Sequence, residues 1–446
     1  MKIYLSKTIV PIATIVAIAT IVLPATAQPQ QWTLRQCTEY AISHNISIQQ
    51  RNNQRRKQEL QLSTARNSRL PDLTGTVSET FSFGRGLTMD NTYTNRSTSS
   101  TTFSLGTNVP LFTGFRIPNN IKLNQLNLEA ATEDLEKAKN DIRMQVAKAY
   151  VQILYDMEIF DVAERQIEID SMQVARLEKF FENGKASGAE VSQQKATLAQ
   201  SRLTATQAQN NLQLALLALS QLLELPSPED FTVARPNTEK FQPIPNDPNQ
   251  IYEEALLFKP EVRAEQLRLD ASEKSIKVAQ AGLYPSLSLN GGLQTNYYKT
   301  SGMQQDNFGT QIKNNFSQYI GLNLSIPIFS RFSTRNSVRS ARIDRENQKL
   351  QLDNVKKTLY KEIQQVYYNA VGAQAKLSSC EAARQSSTDA FVLAQAKYEN
   401  GKATITEFNE AKNRYLKAES DLVQARYENL YQTTLLDFYR GRELNF

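Results

Sequence analysis

Apolar residues recur along this chain with two periods. In four segments the period is two, which places alternate side chains on opposite faces of a β-strand. The clearest is the last, where Ile320, Leu322, Leu324, Ile326 and Ile328 alternate with Tyr319, Gly321, Asn323 and Ser325. Phe103, Leu105, Val109 and Leu111 alternate in the same way with Thr102, Ser104, Gly106 and Asn108. Two weaker examples carry Leu73, Val77, Phe81 and Phe83, and Leu287, Leu289, Leu293 and Tyr297. The pattern predicts strands over about 72–88, 98–112, 286–299 and 315–329. Each is long enough for a tilted membrane strand of ~9–11 residues. The faces opposite the apolar side are Ser, Thr, Asn and Gly, as a watery lumen requires. The same alternation also suits a soluble β-sandwich with one wet face. Four strands cannot close a barrel of useful width, so insertion of this chain in a membrane requires several copies.

Elsewhere the period is seven. Val146, Ile153, Phe160, Ile167, Val174 and Phe181 form one seam, and Leu128, Leu135, Ile142 and Ala149 a second. Leu352, Leu359 and Val366 repeat the latter set further on. Val191, Leu198, Ala205, Leu212 and Leu219 form a shorter seam, with Ala208, Ala215 and Leu222 between them. Phe408, Ala411, Tyr415, Ala418, Leu422 and Ala425 alternate by 3 and 4. The pattern predicts long helices over about 117–182 and 331–399, each roughly 100 Å at 1.5 Å per residue, and partner helices over about 188–225 and 404–440. Heptads sustained this far mean coiled-coil packing, and Ala-rich seams let helices lie close. Two seams on one helix give it neighbours on both sides, as a stave in a wall has.

The chain also repeats itself. Glu182-Asn183-Gly184-Lys185-Ala186 recurs as Glu399-Asn400-Gly401-Lys402-Ala403, a shift of 217 residues. Val109-Pro110-Leu111-Phe112 recurs as Ile326-Pro327-Ile328-Phe329 at the same shift, and Leu70-Pro71 answers to Tyr284-Pro285 at nearly that shift. The expected organisation is a first repeat over 28–225, a Pro-rich linker over 226–250 that wraps the helices, and a second repeat over 251–446 that opens with a helix over about 251–283. At the two Gly-Lys turns, Gly184 and Gly401 suit left-handed helix caps. Ser187-x-x-Glu190 and Thr404-x-x-Glu407 are capping-box patterns for the helices that follow.

Residues 1–27 read as an export signal: Lys2 and Lys7, an apolar core from Ile9 to Leu23, and Ala25-Thr26-Ala27 as a cleavage site, so that the mature chain starts at Gln28. The whole chain has 446 residues, 51 Lys+Arg against 45 Asp+Glu, and one His. Without Lys2 and Lys7 the balance is 49 − 45 = +4, with no basic block, so nucleic acid is not an expected partner. With 40% hydrophobic residues and mean hydropathy −0.48, no stretch beyond the signal approaches a membrane-spanning helix. One His and two Cys leave almost nothing for a metal site, a triad or a redox centre, and there is no phosphate loop. The reading is therefore not an enzyme, with no cofactor. The lone Gly84-x-Gly86 carries no weight. Cys37 and Cys380 are far apart, and a disulfide is allowed in an oxidising compartment without being required.

These features together resemble the TolC family of outer-membrane efflux proteins, over nearly the whole mature chain. Thr33-Leu34-Arg35 to His44-Asn45 resembles the family's opening helix. Lys259-Pro260-Glu261-Val262 resembles the start of its second half, Ile326-Pro327-Ile328-Phe329 its strand-to-helix joint, and Tyr398 through Glu410 its periplasmic tip. The resemblance implies a mixed α and β fold. A homotrimer would give a 12-stranded transmembrane β-barrel, four strands per chain, in outer-membrane lipid, continued by a long α-helical coiled-coil barrel through the periplasm. It implies a periplasmic adaptor (membrane fusion) protein and an inner-membrane transporter as partners. The activity would be an exit duct for efflux or secretion of small molecules or polypeptides, as in multidrug efflux or type I secretion. The family carries two acidic residues near the start of its last helix that ring the tunnel mouth and favour cations. Here they fall on Glu407 and Glu410, which share one helix face. Capping by itself explains Glu407, whereas Glu410 is not needed for the cap. Ala403 stands where the family has an arginine link, and Lys402 is the candidate substitute. Glu190 joins the gate candidates. Gly184, Lys185, Gly401 and Tyr398 are the turn residues expected to dock the adaptor. Phe112, Phe115, Tyr284, Tyr297, Phe329 and Phe332 are candidates for interfacial girdles.

Two other classes fit parts of the pattern. A coiled-coil structural or adhesive surface protein would share the heptads but has no use for lipid-type strands. A periplasmic adaptor would carry one helical hairpin flanked by compact β domains, whereas here two hairpins flank the strands.

Overall fold

The computed structural model describes residues 30–87, 91–227, 231–236, 244 and 247–444; the expected export signal and about half of the linker lie outside them. The first half runs β1 (Gln30–Trp32), α1 (Leu34–His44), α2 (Ile46–Asn67), β2 (Thr74–Leu87), β3 (Tyr93–Thr113), α3 (Arg116–Glu182) and α4 (Gly188–Leu222). After β4 (Phe231–Val233), the second half runs α5 (Pro248–Phe258), α6 (Pro260–Gln280), a 3-10 turn (Ala281–Leu283), β5 (Ser286–Thr300), α7 (Phe308–Asn314), β6 (Ser317–Ser325), α8 (Ser333–Glu399) and α9 (Ile405–Tyr439).

The period-two segments form one antiparallel sheet in the order β2-β3-β5-β6. Its register decides what the sheet can do. Val77 pairs with Phe103, Val109 with Leu289, and Leu289 with Leu322. Directly paired residues share a face, so the apolar positions of all four strands fall on one face of the sheet. Thr76, Ser104, Gln294, Asn290 and Gly321 lie on the other face. Neither face is covered by a second layer: Ile320 is 80% exposed on the apolar face and Tyr319 50% on the other. The apolar face also carries polar positions, Ser97, Ser99, Thr101 and Lys299, and among them Glu79 accepts hydrogen bonds from the hydroxyls of Ser99 (2.5 Å) and Thr101.

Three strand-sheet details differ from the expectation. β3 begins at Tyr93, five residues early, and pairs along the whole of β2. β6 ends at Ser325, because Pro327 removes a ladder donor, so Ile326 and Ile328 leave the ladder while staying exposed. The residues between β5 and β6 are not a plain loop but contain α7.

Each strand pair enters a long helix through a tight joint. Gly114 (φ +62°) and Phe115 (φ +66°) are left-handed before α3, as Arg331 (φ +52°) and Phe332 (φ +60°) are before α8. The two joints are not equally tolerant. A Cβ on Gly114 would lie 2.6 Å from the Ala281 carbonyl oxygen and 2.9 Å from Tyr284 Cβ, so only glycine fits where this joint meets the 3-10 turn. Pro118 is harmless in the first turn of α3, where its missing N–H has no intrahelical partner to lose. Helices α3 and α8 each have 67 residues, and α4 and α9 each have 35. Along its length α3 packs first on α2 and α6, then on α4, with α9 on a further side; α8 packs on α6 and then on α9.

The seams expected from the heptads are largely the buried ones. Leu135, Ile142, Val146, Ile153 and Val174 are buried on α3, as are Leu352, Leu359 and Val366 on α8. Phe181 is an exception; it sits in the last turn beside the hairpin end and is exposed. The largest core lies mid-length, where α1, α5 and the ends of α4 and α9 gather around α3 and α8, with Tyr150, Ile153, Leu219, Ile251, Ile363 and Leu436 buried at its centre. β1 and β4 pair in parallel there, and the Tyr150 hydroxyl donates to the Ala234 carbonyl (2.5 Å), with Trp32 O at 3.1 Å. The Pro-rich linker is thus stitched to α3 by a strand.

The helix expected over about 251–283 is two helices broken at Lys259. Pro260 disfavours the helical conformation of the residue before it, and Lys259 has ψ 122°. The Lys259 ammonium is buried (4% exposed) and lies 4.3 Å from the Phe438 ring and 4.4 Å from the Tyr439 ring. It clamps the end of α9, and burial pushes its pKa below the usual lysine value. Cys37 and Cys380 are free thiols; Cys37 is buried in α1, which pushes its pKa up to about 12. His44 is the last residue of α1, stacked 4.0 Å from the Tyr40 ring.

Candidate functional site

The sheet and the hairpin turns lie at opposite ends of the long helices. At the turns, local chemistry folds the two hairpins alike. Gly184 and Gly401 both have φ +68°. The Gly184 N–H donates to Phe181 O and the Lys185 N–H to Phe180 O, at 3.0 and 2.7 Å. Gly401 and Lys402 repeat this on Tyr398 O and Lys397 O, at 3.1 and 2.8 Å. This is the Schellman closure, which uses carbonyls that would otherwise be orphaned. Both following helices open with full capping boxes, Ser187 with Glu190 and Thr404 with Glu407.

The structure therefore separates the expected gate residues. Glu190 and Glu407 are engaged in caps: Glu190 Oε2 accepts from Ser187 N at 2.7 Å and Glu407 Oε2 from Thr404 N at 2.9 Å. The cap bonds hold the Glu190 carboxyl below the usual carboxylate range. Glu410 is outside the cap, exposed one turn on, with Arg414 3.6 Å away. Lys402 is an exposed tip side chain. Lys185, Gly184 and Gly401 are exposed on the turns.

Tyr398 also takes part in the joint between the hairpins. Its ring stacks on Phe408 at 5.1 Å, and the Arg176 guanidinium from α3 lies 5.3 Å from it. Arg176 also donates to the Glu399 carbonyl (3.3 Å) and sits 3.8 Å from the Glu399 carboxylate. Burial raises the Tyr398 pKa.

The heptads hid a second joint. Asp170 on α3 and Lys412 on α9 are both 0% exposed and form a direct ion pair. Ser201 donates to the other Asp170 oxygen at 2.5 Å, and Gln194 donates at 3.2 Å. Three helices thus meet on one buried carboxylate. The signal was present but weak: Asp170 falls three residues after Ile167 in its seam, and Lys412 is next to Ala411. A charge in such a row needs a partner, yet the row does not say which. Arg165 and Arg384 add a half-buried link to Glu419, at 3.9 and 2.9 Å.

Of the girdle candidates, Phe112, Phe115 and Tyr284 meet at the first strand-to-helix joint, with ring centroids 5.2 and 6.4 Å apart. Phe329 and Phe332 meet at the second, 5.6 Å apart. Tyr297 lies near the far end of β5, 5.3 Å from Phe308 of α7. Among the described residues no helix is long and apolar enough to cross a membrane, and no cluster could hold a metal ion.

Known proteins share this architecture. The chain is 22% identical to the outer membrane efflux protein BepC of Brucella suis over 377 residues, covering 84% of this chain and 77% of that one. It is 24% identical to the outer membrane protein TolC of Vibrio cholerae over 290 residues, spanning 64% of each. The solved CmeC outer membrane channel of Campylobacter jejuni superposes with a TM-score of 0.78 at 18% identity, over 93% of this chain and 87% of that one, which shows a shared fold. The family model described as outer membrane efflux protein matches residues 38–224 and 251–441. With both helical hairpins and all four sheet strands inside those two segments, the chain belongs to the outer membrane efflux protein family.

Proposed function

We propose that this protein is the outer-membrane exit duct of an efflux or secretion system. Three copies would join through the free edges of β2 and β6 into a 12-stranded barrel, four strands per copy, and their long helices would continue it as a tunnel. The observation that carries this reading is the single apolar face spanning four strands between two unpaired edges. At membrane depth every edge N–H and C=O needs a partner, and one chain cannot supply its own. The two hairpins, equal in element length, fit a duplicated domain with a spacing of 217 residues. The periplasmic ends would meet an adaptor and, through it, an inner-membrane transporter, using the turns at Gly184, Lys185, Gly401 and Tyr398. The duct itself has no catalytic task.

Selectivity would arise at the mouth. Threefold symmetry would gather the carboxylates of Glu407 and Glu410 at one constriction, with Glu190 nearby, and such a ring concentrates cations and repels anions. Lys402, in the turn itself, would pair with a carboxylate of a neighbouring copy. Glu410 matters more than Glu407, whose carboxylate already serves the cap. The test is planar-bilayer recording of the purified mature chain. Discrete channels with cation preference are expected, and Glu410→Gln should lower the cation-to-anion permeability ratio more than Glu407→Gln does. Absence of conductance would reject the duct; conductance with selectivity unchanged in both variants would reject the gate alone.

A further inference from the structure

The outer end of the sheet carries an unusual device. β6 has 9 residues and pairs with β5 only from Ser286 to Gln294. Beyond that point β5 runs on to Thr300 with β3 on one side and no strand on the other. That bare edge is closed by side-chain amides from residues 301–316. Asn315 donates to the Asn296 carbonyl at 2.7 Å. Tyr298 N–H donates to Gln311 Oε1 at 3.0 Å, and Gln311 Nε2 donates to Tyr298 O at 3.1 Å. Thr300 N–H donates to Gln305 Oε1 at 3.0 Å. Residues 296, 298 and 300 are the alternate positions that a strand would have served. Gln311 is itself buried (5% exposed) and anchored to Asp306 O at 2.8 Å.

This closure has a consequence for the neighbour. β2 has 14 residues against 9 in β6, so an edge-to-edge joint leaves 14 − 9 = 5 residues of β2 without a strand partner. Those residues cannot pair with the outer part of β5, because its edge is already satisfied. What stands at that level is the α7 segment, and it presents exposed aromatic surface: Phe308 at 53% and Phe316 at 55%. Phe308 packs towards Phe103 and Tyr297, on the same face of the sheet that carries Phe81 and Phe83 of β2. Both sides of the gap are thus aromatic, and the exposed Lys313 and Asn314 bring hydrogen-bond donors for the unpaired carbonyls of β2.

We propose that residues 301–316 are an intersubunit joint, which packs Phe308 and Phe316 against the outer part of β2, around Phe81 and Phe83, in a second copy of this chain. This rests on the barrel reading above. The occupant is another copy rather than lipid, because acyl chains can cover phenylalanine but cannot pair the β2 edge.

The test places a benzophenone amino acid at Phe316 in the full chain and irradiates intact membranes. A second probe at Ile320, on the apolar face of β6, is the comparison, and a third at Ser317 reports the β6 edge. The expected result is a covalent dimer from Phe316 whose mass spectrum maps to peptides within 74–87 of another copy, loss of that adduct in Phe83→Ala, and no protein adduct from Ile320. Adducts from Phe316 to lipid or to its own chain alone, while Ser317 still links copies, would overturn the joint and leave the barrel standing. Loss of intersubunit adducts from both Phe316 and Ser317 would overturn the joint together with the barrel.

Discussion

The mid-length helical body and the sheet put their apolar side chains to opposite uses. In the body, Tyr150, Ile153, Leu219, Ile363 and Leu436 are enclosed by helices of the same chain. In the sheet, Val77, Phe81, Phe83, Ile320, Leu322 and Leu324 are at least 59% exposed, and no element covers them. A core needs two layers, and the sheet is one layer. The body is therefore enclosed by its own chain, whereas on the proposal above the other surfaces of the sheet are supplied by lipid and further copies. The hairpins fall between. Their seams are Ala-rich and narrow, as in Ala163, Ala205 and Ala208, and they depend on a few polar joints to fix how they lie.

This contrast can be broken at several points, which differ in expected size. The largest effect is expected at the buried pair. Asp170→Ala or Lys412→Ala leaves an uncompensated charge inside the three-helix contact, at a cost of about 3–5 kcal/mol; the pair replaced together by Leu and Met should recover much of it. Thermal unfolding followed by far-UV circular dichroism would show this, and equal stability of the single and double variants would contradict the pairing. Next is the body: Leu219→Ala, at a fully buried site, should cost about 2–5 kcal/mol, whereas Ile320→Ala should leave helix unfolding unchanged, because no contact of the body is lost. Gly114→Ala should cost at least ~1–2 kcal/mol for a left-handed residue, with the contact to Ala281 O added, while Arg331→Ala at the matching joint should be nearly neutral. The smallest is Thr404→Ala, which removes one side-chain cap and should cost about 1 kcal/mol. It should loosen the second tip selectively, seen as faster amide exchange over 400–408 with the first tip unaffected.

How much of this was legible in sequence followed the length of each pattern. Seven-residue repeats over 67-residue helices and alternation over β6 predict the elements and the faces they bury or expose. The Gly401 turn and its capping box were readable because few residues suit a left-handed cap. What escaped notice was short or non-periodic. β1 and β4 have three residues each, too few for alternation to show. Residues 301–316 are polar with no period, so the amides that close the β5 edge were invisible until the edge itself was seen. The break at Lys259 is signalled only by Pro260, and apolar periodicity runs across it. The partner of Asp170 lies 242 residues away, beyond any local pattern.

The central claim is that the sheet is completed by other copies of the chain. Native mass spectrometry of the detergent-extracted mature protein tests it most directly. The account predicts one dominant species at three times the chain mass that persists on dilution; a stable species at the mass of a single chain, with its helices folded, would contradict it.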